Sequence, residues 1–294
     1  MTSKLAFAAR IAVLAAAALL PACAVPSPHS RPSPLASAVA DGAVELPAAG
    51  TQGALVIGRA PVGSRVEFTG RTISCAPDGR FVLGIARDAT GSLPVRIRLP
   101  GGATRVLELA ITPRDWPVEH IDGVPPATVN PPPAIAARIE AEQARVAAVR
   151  LRDDPGLDFL TPFTWPVHGR ISGRFGNQRV YNGSAGAPHS GMDIAAATGT
   201  PVHAPAGGVV TFADPGLYLT GGTLVLDHGH GVSSNFLHLS RIDARVGQRV
   251  EQGEVIGAVG ATGRATGPHL HWGMNWFDVR VDPLLVVGPQ SPSR

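Results

Sequence analysis

The segments GAPHSGMD (186–193) and GPHLHW (267–272) decide how this chain folds and what chemistry it can perform. They supply His189, Asp193, His269 and His271. Imidazoles and carboxylates are the ligands that a divalent metal such as zinc selects in proteins. Because side chains two apart on a strand share a face, His269 and His271 are expected to face one cavity. No HExxH helix motif occurs, so the sequence does not support a thermolysin-like zinc protease.

The segment around these motifs, residues 157–288, predicts a sheet. It is rich in glycine and β-branched residues and poor in helix signals. We predict strands at 208–212, 222–226, 232–238, 255–259 and 268–272. Glycine-rich turns join them, which favours a mostly antiparallel sheet. In DHGHG (227–231), two glycines flank His230 and predict a hairpin turn.

Together with FLHL (236–239), the two histidine segments resemble the LytM/lysostaphin-type zinc metallo-endopeptidases, which cleave peptidoglycan peptides. The resemblance covers roughly residues 161–287. Further matching motifs are SGRFG (172–176), GTPV (199–202), APAGGV (204–209), GE (253–254), GATG (260–263) and VDP (281–283). The resemblance implies an open groove with a metal on its floor. One departure is Phe236, where the family often has tyrosine.

The resemblance also implies a role for each polar residue. His189, Asp193 and His271 would bind one Zn²⁺ per chain, and His238 and His269 would be the catalytic histidines. One of the pair would take a proton from water and the other would stabilise the oxyanion. The alternatives are a structural zinc site, and a non-catalytic wall-binding or regulatory protein that controls other cell-wall hydrolases. The expected substrate is peptidoglycan, cut at stem-peptide cross-links.

The N-terminus, residues 1–23, has the pattern of a signal peptide. Lys4 and Arg10 precede an apolar run at 11–20, which is too short to span a bilayer. LPAC (20–23) resembles a bacterial lipobox, which would place a lipid anchor on Cys23; the alternative is cleavage after Ala24. The lipoprotein interpretation predicts attachment to the outer membrane on its periplasmic face, and the alternative predicts a soluble periplasmic protein. Residues 24–40 are a Pro/Ser-rich tether.

The remaining chain divides into a small β domain and a linker, so the predicted fold class is mainly β. Residues 41–115 predict a β-sandwich with strands at 55–57, 65–68, 80–83, 95–99 and 105–111. It is either a wall- or partner-binding module or a support for the enzyme. Residues 116–156 predict a Pro-rich connector and a linking helix over 134–154. Residues 289–294 are a tail.

Charge and cysteine content exclude other classes of protein. The formal net charge is +3, and removing Lys4 and Arg10 leaves +1, so nucleic-acid binding is not expected. Cys75 has no intramolecular partner once the leader is cut, which excludes a disulfide framework and favours a small buried thiol. We expect a monomer.

Overall fold

The structure is a computed structural model that describes residues 43–288 and residue 290. The predicted signal peptide, Cys23 and the tether lie outside the described residues, as does the tail apart from Gln290. The side-chain amide of Gln290 donates to the carbonyl of Gly169 at 2.8 Å. No helix among residues 43–288 is both long enough and apolar enough to cross a bilayer.

The N-terminal β region begins with seven strands. They are β1 (Ala49–Thr51), β2 (Leu55–Arg59), β3 (Arg65–Phe68), β4 (Arg71–Ser74), β5 (Arg80–Gly84), β6 (Ser92–Arg98) and β7 (Thr104–Thr112). One sheet has the order β1-β7-β6-β3-β4, and β2 pairs with β5 in a second sheet. Alternating apolar residues such as Val95 and Ile97 are fully buried. All five predicted strands are confirmed, and the sequence analysis missed β1 and β4.

The connector holds a strand that the sequence analysis did not predict. Strand β8 (Val118–Ile121) pairs in parallel with β10 (Gln178–Tyr181). Paired residues lie sixty positions apart, so local sequence carries no signal for the pairing. The two strands bring the connector close to the histidine segment of residues 186–193.

The linking helix is confirmed, with different ends. After a single turn, α1 (Pro126–Val129), helix α2 runs over Pro133–Arg150 rather than to residue 154. Pro133 occupies the first turn, where its missing N–H costs nothing. Asp153 and Asp154 precede Pro155, and both acidic charge at a helix C-terminus and a following proline disfavour further helix.

The C-terminal region is built around one antiparallel sheet, as predicted. After a 3₁₀ turn at Asp158–Leu160 come β9 (Arg170–Gly173), β10, β11 (Ser184–Ala185), β12 (Met192–Ala195), β13 (Pro201–His203), β14 (Gly208–Leu217), β15 (Gly221–Gly229), β16 (Val232–Leu239), β17 (Arg241–Ile242), β18 (Arg249–Val250), β19 (Val255–Ala258), β20 (His269–Trp276), β21 (Val279–Val281) and α3 (Leu284–Val287). The main sheet has the order β18-β14-β15-β16-β20-β12-β9, and β21 also pairs with β20. Strand β20 is therefore central.

The two faces of β20 serve different purposes. Trp272, Met274 and Trp276 are fully buried on one face. Trp276 packs against Phe68 of the N-terminal region, with ring centroids 6.0 Å apart, so the two β regions share a core. On the other face, His269 and His271 line a cavity. Helix α2 packs on this second face through Val146 and Val149, against a cluster of Phe212, Leu217 and Val225.

Candidate metal centre and catalytic groove

Strand pairing brings three of the predicted site residues together. Asp193 on β12 lies directly opposite His271 on β20, and cross-strand neighbours have Cβ atoms about 5 Å apart. His189 enters from the loop before β12. Its Nε2 lies 3.1 Å from Asp193 Oδ1 and 3.0 Å from His271 Nδ1. The third side of this triangle, from His271 Nδ1 to Asp193 Oδ1, is 2.8 Å.

The donor atoms of this triangle fit a tetrahedral zinc ion. His189 Nδ1 is 3.0 Å from the carbonyl oxygen of Arg174, which can only accept, so Nδ1 carries the hydrogen and Nε2 presents a lone pair. That lone pair faces the Asp193 carboxylate, an arrangement that a cation between the two atoms would stabilise. Zinc bonds of about 2.0–2.1 Å in a tetrahedron place neighbouring ligand atoms about 3.3 Å apart. The observed triangle is close to that size.

Arg179 holds the second oxygen of Asp193. Its Nη2 lies 2.5 Å from Asp193 Oδ2, which leaves Oδ1 directed at the two histidines. Burial alone would raise the pKa of Asp193, but hydrogen bonds and charges from His189 and His271 outweigh it and hold that pKa well below its usual range. Gly173 makes room for the ion pair, because a Cβ there would lie 2.5 Å from Asp193 Oδ2 and 2.8 Å from Arg179 Nη2.

His238 and His269 form a pair of imidazoles beside the triangle, with ring centroids 4.8 Å apart. Nδ1 of His238 donates to the carbonyl of Thr262 at 2.7 Å, and Nδ1 of His269 donates to the carbonyl of Gly267 at 2.8 Å. In the neutral rings, both Nε2 atoms are therefore proton acceptors. His269 Nε2 lies 3.8 Å from Asp193 Oδ1. Burial, reinforced by the neighbouring His269, lowers the pKa of His238 to about 4.

A strained backbone places the His238 side chain in the groove. Asn235 and Leu237 of β16 line the cavity, so alternation would direct His238 to the opposite face. His238 instead adopts a φ of 64°, a left-handed conformation that non-glycine residues rarely take. Such outliers cluster at functional sites because the surrounding structure must hold them. All five histidine and aspartate positions that the sequence analysis selected therefore lie around one cavity.

The cavity has a volume of about 1030 Å³ and walls from distant parts of the chain. Strands β12, β16 and β20 provide the floor. Helix α2 contributes Val146 and Arg150, and the connector contributes Glu119. The sequence analysis did not place the connector or α2 at the site, because nothing in their local composition indicates which surface they cover.

The other histidines and Cys75 lie outside the metal triangle. His230 occupies the predicted hairpin turn, with φ of 49°. His228 is fully buried; its Nδ1 donates to the carbonyl of Gly207 at 2.7 Å and its Nε2 accepts from the Ser234 hydroxyl at 2.8 Å. Burial lowers the pKa of His228 to about 4. Cys75 is a free, half-buried thiol whose pKa burial raises to about 11, so its nucleophilic thiolate is scarce at neutral pH.

Sequence reasoning missed four side chains that complete the groove: Arg150, Arg179, Asn235 and Arg280. Arg179 lies three residues after SGRFG (172–176), within the segment that resembles the peptidase family, and this proximity could have identified it. Arg150 and Arg280 come from helix α2 and from an edge strand, far apart in sequence. No spacing rule connects them.

Comparison with known proteins extends these observations. The sequence profile of peptidase family M23 matches residues 187–283. A Pseudomonas aeruginosa crystal structure assigned to peptidase M23 aligns with 32% identity and a TM-score of 0.64, over 81% of this chain and 95% of the other. This chain belongs to peptidase family M23. The structural alignment is long enough to include residues N-terminal to the profile match, so the two proteins share more than the M23 region.

Two curated relatives match less than half of this chain. Peptidoglycan DD-endopeptidase ShyA of Vibrio cholerae is 42% identical over 104 residues, which is 35% of this chain and 24% of ShyA. DD-carboxypeptidase/endopeptidase Mpg of Neisseria meningitidis is 42% identical over 124 residues, which is 42% of this chain and 28% of Mpg. The match to this chain thus spans about a quarter of either relative.

Proposed function

We propose that this M23 protein is a zinc-dependent endopeptidase that hydrolyses peptide bonds of peptidoglycan, with stem-peptide cross-links as its substrate. The observation that carries the proposal is the triangle of His189 Nε2, Asp193 Oδ1 and His271 Nδ1, with sides of 2.8–3.1 Å, beside two further imidazoles on the floor of a groove. The peptidoglycan endopeptidases among its relatives support the choice of substrate.

The three triangle residues would hold one zinc ion. Three protein ligands leave the fourth position of a tetrahedral site open, which distinguishes a catalytic zinc site from a closed structural one. When bound, zinc lowers the pKa of water towards neutrality and polarises a peptide carbonyl. Arg179 and the carbonyl of Arg174 fix the orientations of Asp193 and His189, as the hydrogen-bond partners of metal ligands commonly do.

We propose that His269 and His238 take part in proton transfer. Both Nε2 atoms are acceptors, because both Nδ1 atoms donate to backbone carbonyls. We propose that His269 takes the first proton, from the attacking water, because its Nε2 is 3.8 Å from Asp193 Oδ1, an oxygen that would bind the metal. His238 lies against His269, and a positive charge on His269 disfavours protonation of His238. Once protonated, His269 can donate to the oxyanion or to the leaving amine.

Digestion of isolated sacculi by the zinc-loaded protein tests the proposal, with mass analysis of the muropeptides released. We expect cross-linked dimers to become monomers through cleavage of peptide bonds. His269→Ala should keep zinc and lose activity by about 10²–10⁴-fold, the usual contribution of a positioned acid or base. His168→Ala, an exposed histidine outside the cavity, is the matched control and should behave as wild type.

Two results would contradict the proposal. Zinc-loaded wild-type protein that releases no muropeptide from sacculi would favour the regulatory alternative, in which the groove binds wall peptides or another hydrolase without chemistry. Equal activity of wild type and His269→Ala would remove the assigned proton acceptor.

We also propose that Cys23 carries a lipid anchor that holds the protein at the outer membrane, on the basis of LPAC (20–23). Acyl chains anchor by burying methylene groups, without a spanning helix. Membrane fractionation of cells that express Cys23→Ser tests this. Release of the variant into the soluble periplasmic fraction is expected, and unchanged membrane association would refute the anchor.

A further inference from the structure

Two arginines converge on one amide oxygen in the wall of the groove. Arg280 Nη1 donates to Asn275 Oδ1 at 2.8 Å, and Arg150 Nη1 lies 3.4 Å from the same atom. Arg150 is the last residue of α2, and its Nε donates to the carbonyl of Val146 at 3.1 Å. That bond fixes the guanidinium, so the pair is held in position before any ligand binds.

This arginine pair lacks a carboxylate partner among the described residues, where every Asp or Glu oxygen is more than 4.0 Å from it. The nearest acidic influence on Arg150 comes from Asp278, which is itself paired with Arg71 at 2.6 Å. Burial and the neighbouring charge of Arg150 lower the pKa of Arg280 to about 9. Two partly desolvated like charges side by side are stabilised by an anion.

The arginine pair lines the same groove as the proposed zinc site. Asn275 follows His271 by four residues on β20, so the two side chains share a face. At about 3.3 Å per residue they are about 13 Å apart along the strand. Both arginines line the cavity that also holds the metal triangle. A peptide bound along β20 could therefore reach both places.

Asn235 lies between the two places and has unused hydrogen-bonding capacity. It pairs across the sheet with Gly273, midway between His271 and Asn275. The residue is only 3% exposed, and neither Nδ2 nor Oδ1 has a protein partner among the described residues. A side-chain amide offers one donor face and one acceptor, which complements a peptide group. Gly273 makes room for this amide, because a Cβ there would lie 3.2 Å from Asn235 Nδ2.

We propose that Arg150 and Arg280 form a carboxylate subsite, and that Asn235 binds the peptide backbone between this subsite and the metal. The proposal rests on the proposed function and specifies its substrate: a peptide with a free carboxylate about four extended residues from the scissile bond. A carboxypeptidase substrate has its terminal carboxylate only one residue, about 3.5 Å, beyond that bond. The spacing therefore favours cleavage inside a peptide.

Binding and cleavage of three synthetic cross-linked stem peptides test the subsite. The first peptide keeps all its carboxylates. The second has its side-chain carboxylate converted to a carboxamide, and the third has its C-terminal carboxylate converted to a carboxamide. Calorimetry uses the full-length, zinc-loaded His269→Ala protein, so that binding is measured without turnover. Because a hydrogen bond to a charged group is strong when desolvated, one of the two amides should bind about tenfold or more weakly. That amide identifies the carboxylate that is bound.

Variants assign this selectivity to the arginine pair. In the same zinc-loaded background, Arg150→Gln and Arg280→Gln should each bring the ratio of acid to amide Kd towards one. Arg105→Gln, an exposed arginine on β7, is the matched control and should keep the ratio. Zinc content and Tm report whether each variant folds. The comparison of acid with amide in the His269→Ala protein does not depend on the folding of either arginine variant.

The outcomes separate this proposal from the proposed function. Equal Kd values for all three peptides would overturn the carboxylate subsite even if wild type cleaves them. Selective binding without cleavage by zinc-loaded wild type would keep the subsite and overturn the endopeptidase. Selectivity that survives in both Arg150→Gln and Arg280→Gln would place the carboxylate elsewhere and refute the assignment.

Discussion

Replacing Gly191 by alanine should loosen the metal site without changing any ligand. Gly191 lies between His189 and Asp193, where the loop before β12 passes close to β20. A Cβ at this position would lie 2.5 Å from the carbonyl oxygen of Trp272, 2.7 Å from His271 Nε2 and 2.8 Å from the Cα of Gly273. Two of these atoms are backbone, so the strands must separate to accept the methyl group.

The structure sets the size of this effect. Overpacking by one methyl group in a well-packed core costs about 1–3 kcal/mol. For a folded unit of this size each kcal/mol lowers Tm by about 2–4 °C, so a decrease of about 2–12 °C is expected. Because the separation moves His271 relative to His189, zinc affinity should fall by about 10–100-fold, the loss that follows when a hydrogen bond that orients a metal ligand is removed.

Gly267→Ala is the matched control. Gly267 borders the same cavity, and a Cβ there would meet no atom within 4 Å. Differential scanning calorimetry of the metal-free proteins and competition with a zinc-binding dye measure the two quantities. If Gly191→Ala and Gly267→Ala had the same Tm and zinc affinity, the loop at Gly191 would not be packed closely against β20, and the reasoning would be refuted.

Three further predictions concern stability. First, His228 has a pKa of about 4 in the folded protein against about 6.5 when unfolded, so the unfolded chain binds an extra proton between these values. The free energy of unfolding should therefore fall as pH drops from about 6.5 to about 4, and this histidine contributes up to about 1.4 kcal/mol per pH unit. In urea titrations, His228→Gln should reduce the slope of the unfolding free energy against pH. An unchanged slope would contradict this assignment to His228. Second, Trp276→Ala should cost about 3–5 kcal/mol in denaturant titrations, because Trp276 is fully buried between the two β regions, and a loss below about 1 kcal/mol would show that the contact is not part of the core. Third, chelation of zinc from protein held at free zinc 100 times Kd should remove about 2.7 kcal/mol and lower Tm by about 5–11 °C, whereas no change would mean that the ion does not bind the native state preferentially.

The sequence predicted the central strands and the ligand face because both depend on local alternation. His269 and His271 are two apart on β20 and share a face, as expected. The sequence of β20 also alternates these polar residues with Leu270 and Trp272, which are fully buried. The resemblance to a known family then identified His189 and Asp193. No local pattern in the sequence predicts that their segment lies beside β20.

The missed features depend on long-range contacts. Alternation along β16 would have placed His238 on the core face, and only its left-handed backbone conformation turns it into the groove. Strand β8 and helix α2 become walls of the site through partners far away in sequence. Arg150 and Arg280 are close together only because α2 and β21 both reach Asn275. Sequence periodicity cannot predict that two distant elements meet at one residue.

X-ray absorption spectroscopy at the zinc edge, on protein loaded with one equivalent of zinc, tests whether His189, Asp193 and His271 bind the ion. We expect only nitrogen and oxygen ligands at about 2.0–2.2 Å, two of them imidazoles, and loss of the bound zinc in His271→Ala but not in His269→Ala. Sulfur ligands near 2.3 Å, or zinc retained with an unchanged spectrum in His271→Ala, would contradict it.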